Sequence, residues 1–222
     1  MSQYDLLIFG ASRNTGLLIA QQARQKGLSV AAMVRDTSDT KALQELEVAL
    51  YKGDAFEISD CQNIFAQTQP RWALSVLGGK NAQGRRVDAE GNINIINAAQ
   101  ACPTLTRFLL MTSMGCGDQY ENTSEQVKKF LGEALLAKTQ AEQVLQTSNL
   151  PWIILRPGGL NHDRATGKYH LLDKSDSRYT GYLPRADVAA ATLQLLEEEH
   201  WLHRTITVQG DLKKEETTDD TN

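Results

Sequence analysis

Short runs of aliphatic and β-branched residues alternate with longer amphipathic stretches along the chain, a rhythm that predicts a parallel sheet with helices on both faces. Residues 4–9 read as a first strand and residues 15–26 as the helix that follows. Gly27 closes that helix, since glycine takes the left-handed conformation of a C-terminal cap without strain. Further strands are predicted at 28–34, 48–51, 72–77, 108–113, 152–155 and 205–208, and further helices at 57–67, 86–101, 126–146 and 185–198. In the stretch 86–101, Ile93, Ile96 and Ala99 keep helical spacing. Strand and helix in strict alternation, joined by connections of ordinary length, give the doubly wound α/β pattern, here as a single domain over residues 1–210. Residues 159–181 read as a long irregular segment, and a loop of that length is usually functional. Residues 211–222 are too polar to pack and are expected to form a solvated tail.

Composition narrows the possibilities only modestly. A chain of 222 residues can bury a substantial core without staples. Its net charge of −4 argues against a generally basic surface, so no nucleic-acid partner is expected. Cys61, Cys102 and Cys116 are an odd number without a CxxC pair, which fits neither a disulfide scaffold nor a zinc site. A reducing cytoplasm is therefore the expected location, with no metal bound. His200 and His203 are spaced to chelate, yet no third ligand accompanies them. No run approaches the roughly 20 apolar residues of a membrane span. Met1-Ser2-Gln3 leads into the first strand without the layout of a signal peptide.

The chemistry is concentrated where strands end. Gly10-Ala11-Ser12-Arg13-Asn14-Thr15-Gly16 joins the first strand to its helix, where backbone N–H groups and the helix dipole can face a pyrophosphate. Gly10 permits a sharp exit from the strand, and Gly16 lets the helix approach the sheet closely. Such a turn is weak evidence alone; as the first β-to-helix junction of a βαβ chain it points to a dinucleotide.

At this turn the chain resembles the short-chain dehydrogenase/reductase superfamily, with a departure: Asn14 and Arg13 stand where its two glycine patterns place glycine. Asparagine tolerates positive φ, so the turn is expected to survive. At the end of the second strand, Arg35 in Met33-Val34-Arg35-Asp36 offers a cation for the 2′-phosphate of NADP, and Arg13 can reach it from the other side. NADP(H) is the expected cofactor. Asp36 would serve NAD instead if the strand ended one residue later. In similar proteins an aspartate after the third strand binds the adenine amino group, which the resemblance carries to Asp54, beside Ala55. Leu77, Gly78 and Gly79 then fall where related folds place the ribose joining the two halves of the dinucleotide.

The superfamily's catalytic set is a serine after the fifth strand and a YxxxK helix. The resemblance assigns Ser113, following Thr112, and Lys138 as the catalytic pair, Lys138 also holding the ribose. The tyrosine position is Ala134. A proton donor is therefore missing, and a substrate that delocalises the incoming hydride is implied. Over most of residues 5–209 the chain is similar to the atypical group that includes biliverdin IXβ reductase/flavin reductase. The similarity rests on Val34-Arg35-Asp36, Gly53-Asp54, Thr112-Ser113, the lysine helix and Arg185-Ala186-Asp187-Val188-Ala189. Some relatives carry histidine where this chain has Gly158-Gly159.

Pro157, after Arg156, completes the expected cofactor set. Arg164, Lys168, Tyr169, His170, Lys174, Arg178 and Tyr179 make the 159–181 segment basic and aromatic, suited to covering an acidic conjugated substrate. The resulting expectation is an NADPH-dependent reductase of a bilin or flavin, acting as a monomer or weak dimer. A non-catalytic NADPH sensor or assembly factor and a cofactor-retaining epimerase or dehydratase are the competing readings.

Overall fold

The computed structural model describes residues 3–173 and 182–210. The expected tail at 211–222 and Lys174, Arg178 and Tyr179 lie outside the described residues. The first strand, β1 (Tyr4–Phe9), shows why the sheet is two-sided: Leu6 and Ile8 enter one hydrophobic cluster, Leu7 and Phe9 the other, all fully buried. The strands β2 (Val30–Val34), β3 (Ala49–Lys52), β4 (Pro70–Ser75), β5 (Arg107–Met111) and β6 (Trp152–Pro157) repeat this pattern in parallel. Helices α1 (Asn14–Gln25) and α6 (Arg185–Glu197) cover one face. The opposite face carries α3 (Ile58–Thr68), α4 (Asn92–Ala99) and α5 (Glu125–Gln146).

Strand order is β3-β2-β1-β4-β5-β6-β10-β8, with β10 (Arg204–Gly210) parallel to β6 and β8 (Tyr169–Leu172) antiparallel at the edge. Chain direction across the sheet reverses between β1 and β4, which opens a crevice at the carboxyl edge. The doubly wound Rossmann-type domain expected from the sequence is what forms.

Three details differ from the pattern reading, and one agrees with it. A short helix α2 (Lys41–Glu45), holding one buried residue, Leu43, precedes β3 and has too few apolar positions to register as periodic. The stretch 86–101 is a π-helical turn, Val87–Gly91, running into α4 rather than one helix. Gly27 caps α1 with φ of 80°, as anticipated. Finally, 159–181 is not irregular in its described parts. It contributes β7 (Gly159–Asn161), paired in parallel with β9 (Tyr182–Pro184), and the edge strand β8. Tyr169 donates to Gln194 Oε1 at 2.9 Å, so it is engaged with α6. Buried Asp187 accepts hydrogen bonds from the Thr166 and Gly167 amides and from the Thr166 hydroxyl, tying this excursion to the first turn of α6.

Candidate active site

A cleft of about 390 Å³ lies at the carboxyl edge of the sheet, over the switch point. Its floor is the turn after β1. Gly10 takes φ of 97° and Asn14 φ of 50°, so the asparagine that replaces a family glycine occupies the left-handed region it was expected to tolerate. No side chain caps α1, which leaves the amides of its first turn for a ligand. A β-carbon on Gly16 would overlap the Gly10 carbonyl oxygen. Glycine there is a condition for the helix to begin against the strand's exit, as well as for a ligand to come close. Ser12 and Thr15 complete this side of the cleft.

Arg13 and Arg35 both line the cleft, exposed, and neither has an ion-pair partner among the described residues. Asp36 instead reaches Lys52 at 2.8 Å, which turns its carboxylate to an exposed lysine at the end of β3. Asp54 does two things. Its Oδ1 accepts from the Phe56 amide at 3.0 Å, building its own turn, while Oδ2 has no partner among the described residues. Ala55 is buried beside it.

The opposite end is organised by a residue that sequence reasoning missed. Asp88, buried on the π-helical turn, accepts from the Gly79 amide at 2.8 Å through Oδ2 and pairs with Lys138 Nζ at 2.9 Å through Oδ1. A β-carbon on Gly78 would stand 3.2 Å from that ammonium, so the bare backbone after β4, with Leu77 before it, is what gives Lys138 its place. Asn92 fixes the turn by donating to the Asp88 carbonyl at 3.1 Å and accepting from Ser75 Oγ at 2.6 Å. Asp88 sits in a stretch that reads as an ordinary helix, where an aspartate normally faces water.

Behind Thr112 and Pro157, which close the cleft, lies a buried polar network. Thr112 donates to Glu142 Oε1 at 2.6 Å, and Arg156 binds Glu142 with Nε at 3.0 Å and Nη2 at 2.7 Å. A further bond of 2.6 Å reaches Asp118. Burial works against the Arg156 charge, but Glu142 and Asp118 outweigh it and hold the guanidinium protonated above its usual range. Arg156 therefore serves a carboxylate pair rather than the cofactor region. Burial, with Glu142 nearby, pushes the Cys116 thiol up to about 12; the same cause acts on Cys61.

All fifteen residues assigned to the cofactor from sequence, Lys138 among them, line this one cleft. Ser113 does not: it follows Thr112 as a half-buried residue beside the wall, its hydroxyl without a partner among the described residues. Leu160 and Arg185 line the cleft without having been assigned to it. Ala134 stands one turn before Lys138, half-buried. Among the described residues no group of three or more metal-ligating side chains occurs, and no helix is long and apolar enough to cross a membrane. His200 packs on Trp201, and His203 meets the Trp152 ring edge-on.

With a glycine-framed turn under the first helix, two free guanidiniums and a fixed lysine at one switch-point cleft, the class is a dinucleotide-binding Rossmann protein of the atypical short-chain dehydrogenase/reductase type. The model of an NAD(P)H-binding family matches residues 10–199, and the chain belongs to that family. Among solved structures, ChuY, an anaerobillin reductase from Escherichia coli O157:H7, is 31% identical with a TM-score of 0.83, the match covering 94% of this chain and 98% of that one. An uncharacterized chloroplastic protein of Arabidopsis thaliana is 28% identical over 87% of this chain and 72% of its own length. Sanguinarine reductase of Eschscholzia californica is 34% identical over 51% of this chain and 41% of its own.

Proposed function

We propose that the protein is an NADPH-dependent reductase of an extended conjugated acceptor, of the bilin or flavin kind, working in a reducing cytoplasm. The observation that carries this reading is the pairing of a complete dinucleotide cleft with Ala134 at the place of the proton-donating tyrosine. Arg13 and Arg35 would hold the 2′-phosphate, and the N-terminus of α1 the pyrophosphate. Lys138, oriented by Asp88, would donate to the ribose hydroxyls. NADPH, when bound, supplies a hydride. The two electrons and hydrogen of that hydride would go to a carbon of a bilin or to N5 of a flavin, the charge would spread over the acceptor's π-system, and a proton from solvent would complete the reduction. Ser113, whose hydroxyl has no partner among the described residues, would hydrogen-bond the acceptor or the carboxamide of the cofactor. Similarity to ChuY and to sanguinarine reductase supports a reductase and an aromatic or conjugated acceptor.

A lost tyrosine is also found in NADPH-binding proteins without turnover, and one experiment separates the two. Purified protein is mixed with NADPH and, in turn, biliverdin isomers, FMN, FAD and quinones, following nicotinamide absorbance. Turnover of at least one acceptor is expected, and Ser113→Ala should slow it about 10- to 1,000-fold, the range for one hydrogen bond strengthened in the transition state. Binding of NADPH with no turnover of any acceptor would favour the sensor.

A further inference from the structure

Five residues of α5 share one helical face: Val127, Phe130, Leu131, Ala134 and Lys138, at spacings of three and four. The last of them lines the cleft. The three largest of the others are exposed, Phe130 by 74% and Leu131 by 50%. Large apolar side chains standing together in water signal a binding surface rather than an accident of composition.

The flanks of this stripe say which way it looks. On one side Glu133 is bound by Lys80 and Arg86, of which Lys80 also lines the cleft. On the other, Gly132 lies against the Tyr120 hydroxyl, and Thr139 accepts from the Gly117 amide at 2.8 Å. The stripe runs between these two packed edges. α5 starts from the carboxyl edge of the sheet, where Lys138 lines the cleft, and runs back toward the amino edge to reach β6, so the turns before Lys138 lie on the carboxyl-edge side. Thirteen residues precede Lys138 in the helix, about 20 Å at 1.5 Å per residue. The apolar stripe thus leads outward along the helix from the cleft-lining Lys138, its four apolar members lying outside the cleft lining. Across the same cleft stands Arg185, half-buried, with one Nη1–H on the Asn161 carbonyl at 3.1 Å and no carboxylate partner among the described residues.

From this we infer an acceptor site that selects for size and charge: the Val127, Phe130, Leu131 and Ala134 face of α5 takes the flat apolar body of the acceptor, and Arg185 takes an acidic group on it. The inference rests on the reductase reading above and adds where the acceptor lies and what it must carry. Alanine at 134 has a second consequence here, for a tyrosine ring would stand in the middle of the platform. The occupant that fits is a carboxylate-bearing, extended conjugated molecule rather than a small carbonyl compound.

The test titrates biliverdin, and separately its dimethyl ester, into the protein saturated with NADP+, reading ligand absorbance and protein fluorescence. Phe130→Asp and Leu131→Asp should each weaken biliverdin at least tenfold while leaving NADPH affinity and circular dichroism unchanged. Arg185→Gln should weaken the acid tenfold and the ester little. Unchanged affinity in the α5 variants overturns the site even if turnover is intact. Equal binding of acid and ester by the parent overturns the role of Arg185. Absence of biliverdin binding by the parent overturns the inference while leaving reduction of another acceptor to be seen in the turnover assay. Sedimentation is run alongside: a dimer that dissociates on Phe130→Asp would assign the stripe to a second copy of the chain and also overturn it.

Discussion

In the proposed function, Arg35 is the residue on which cofactor choice turns. It and Arg13 line the cleft at the ends of the first two strands, neither with a carboxylate partner among the described residues, whereas Asp36, the residue that would serve NAD, is held by Lys52. Arg35→Ala should therefore weaken NADPH by about 2 kcal/mol, roughly thirtyfold, and change NADH little. Calorimetric titration of both nucleotides measures it, and equal parent affinities for the two would refute the phosphate role. This much was legible in the sequence, because a strand end in a βαβ chain fixes which side chain meets the ribose. The partner of Lys138 was not. Asp88 reads as a solvated helix residue, and only the π-helical turn, which has no periodic signature, carries it inward to the Gly79 amide and the ammonium.

Two junctions between elements carry the site. Where β1 passes into α1, Gly16 lies against the Gly10 carbonyl, so Gly16→Val must lift the helix from the strand. Loss of dinucleotide binding is expected together with a lower melting temperature, and a variant that binds NADPH like the parent would show that the cofactor lies elsewhere. Behind β5 and β6, Glu142 and Arg156 are both buried and bonded at two points. Arg156→Met leaves Glu142 charged and unpaired, at a cost of about 3–5 kcal/mol in denaturant unfolding. Replacing both with apolar residues should recover most of that loss, because the pair's desolvation is removed with it. If the single and double variants unfold alike, the pair is not what Arg156 is kept for. Pairing of this kind joins α5 to β6, and no spacing rule in the sequence connects residues 142 and 156.

At the scale of the whole molecule, strand alternation was enough to give the sheet, its switch point and the crevice. Apolar runs bounded by glycine and polar residues leave a parallel sheet few other arrangements. What it concealed was the excursion after β6. Three short strands of three or four residues have too little periodicity to register, and β8 joins the sheet by backbone pairing with β10 that no local pattern announces. The strand-end residues proposed for the cofactor could thus be read from sequence, while the exposed face of α5 proposed for the acceptor has no motif that announces it.

Direct transfer between the two halves is the central claim, and isotope labelling reads it most plainly. NADPH carrying deuterium at the transferring C4 position is incubated with the protein and a bilin acceptor, whose reduction places the hydride on carbon, and the reduced bilin is weighed by mass spectrometry. Deuterium retained at a single carbon of the product, with NADP+ released in equal amount, is the expected result. A product without deuterium at any carbon, or NADPH consumed with no reduced acceptor formed, would contradict it.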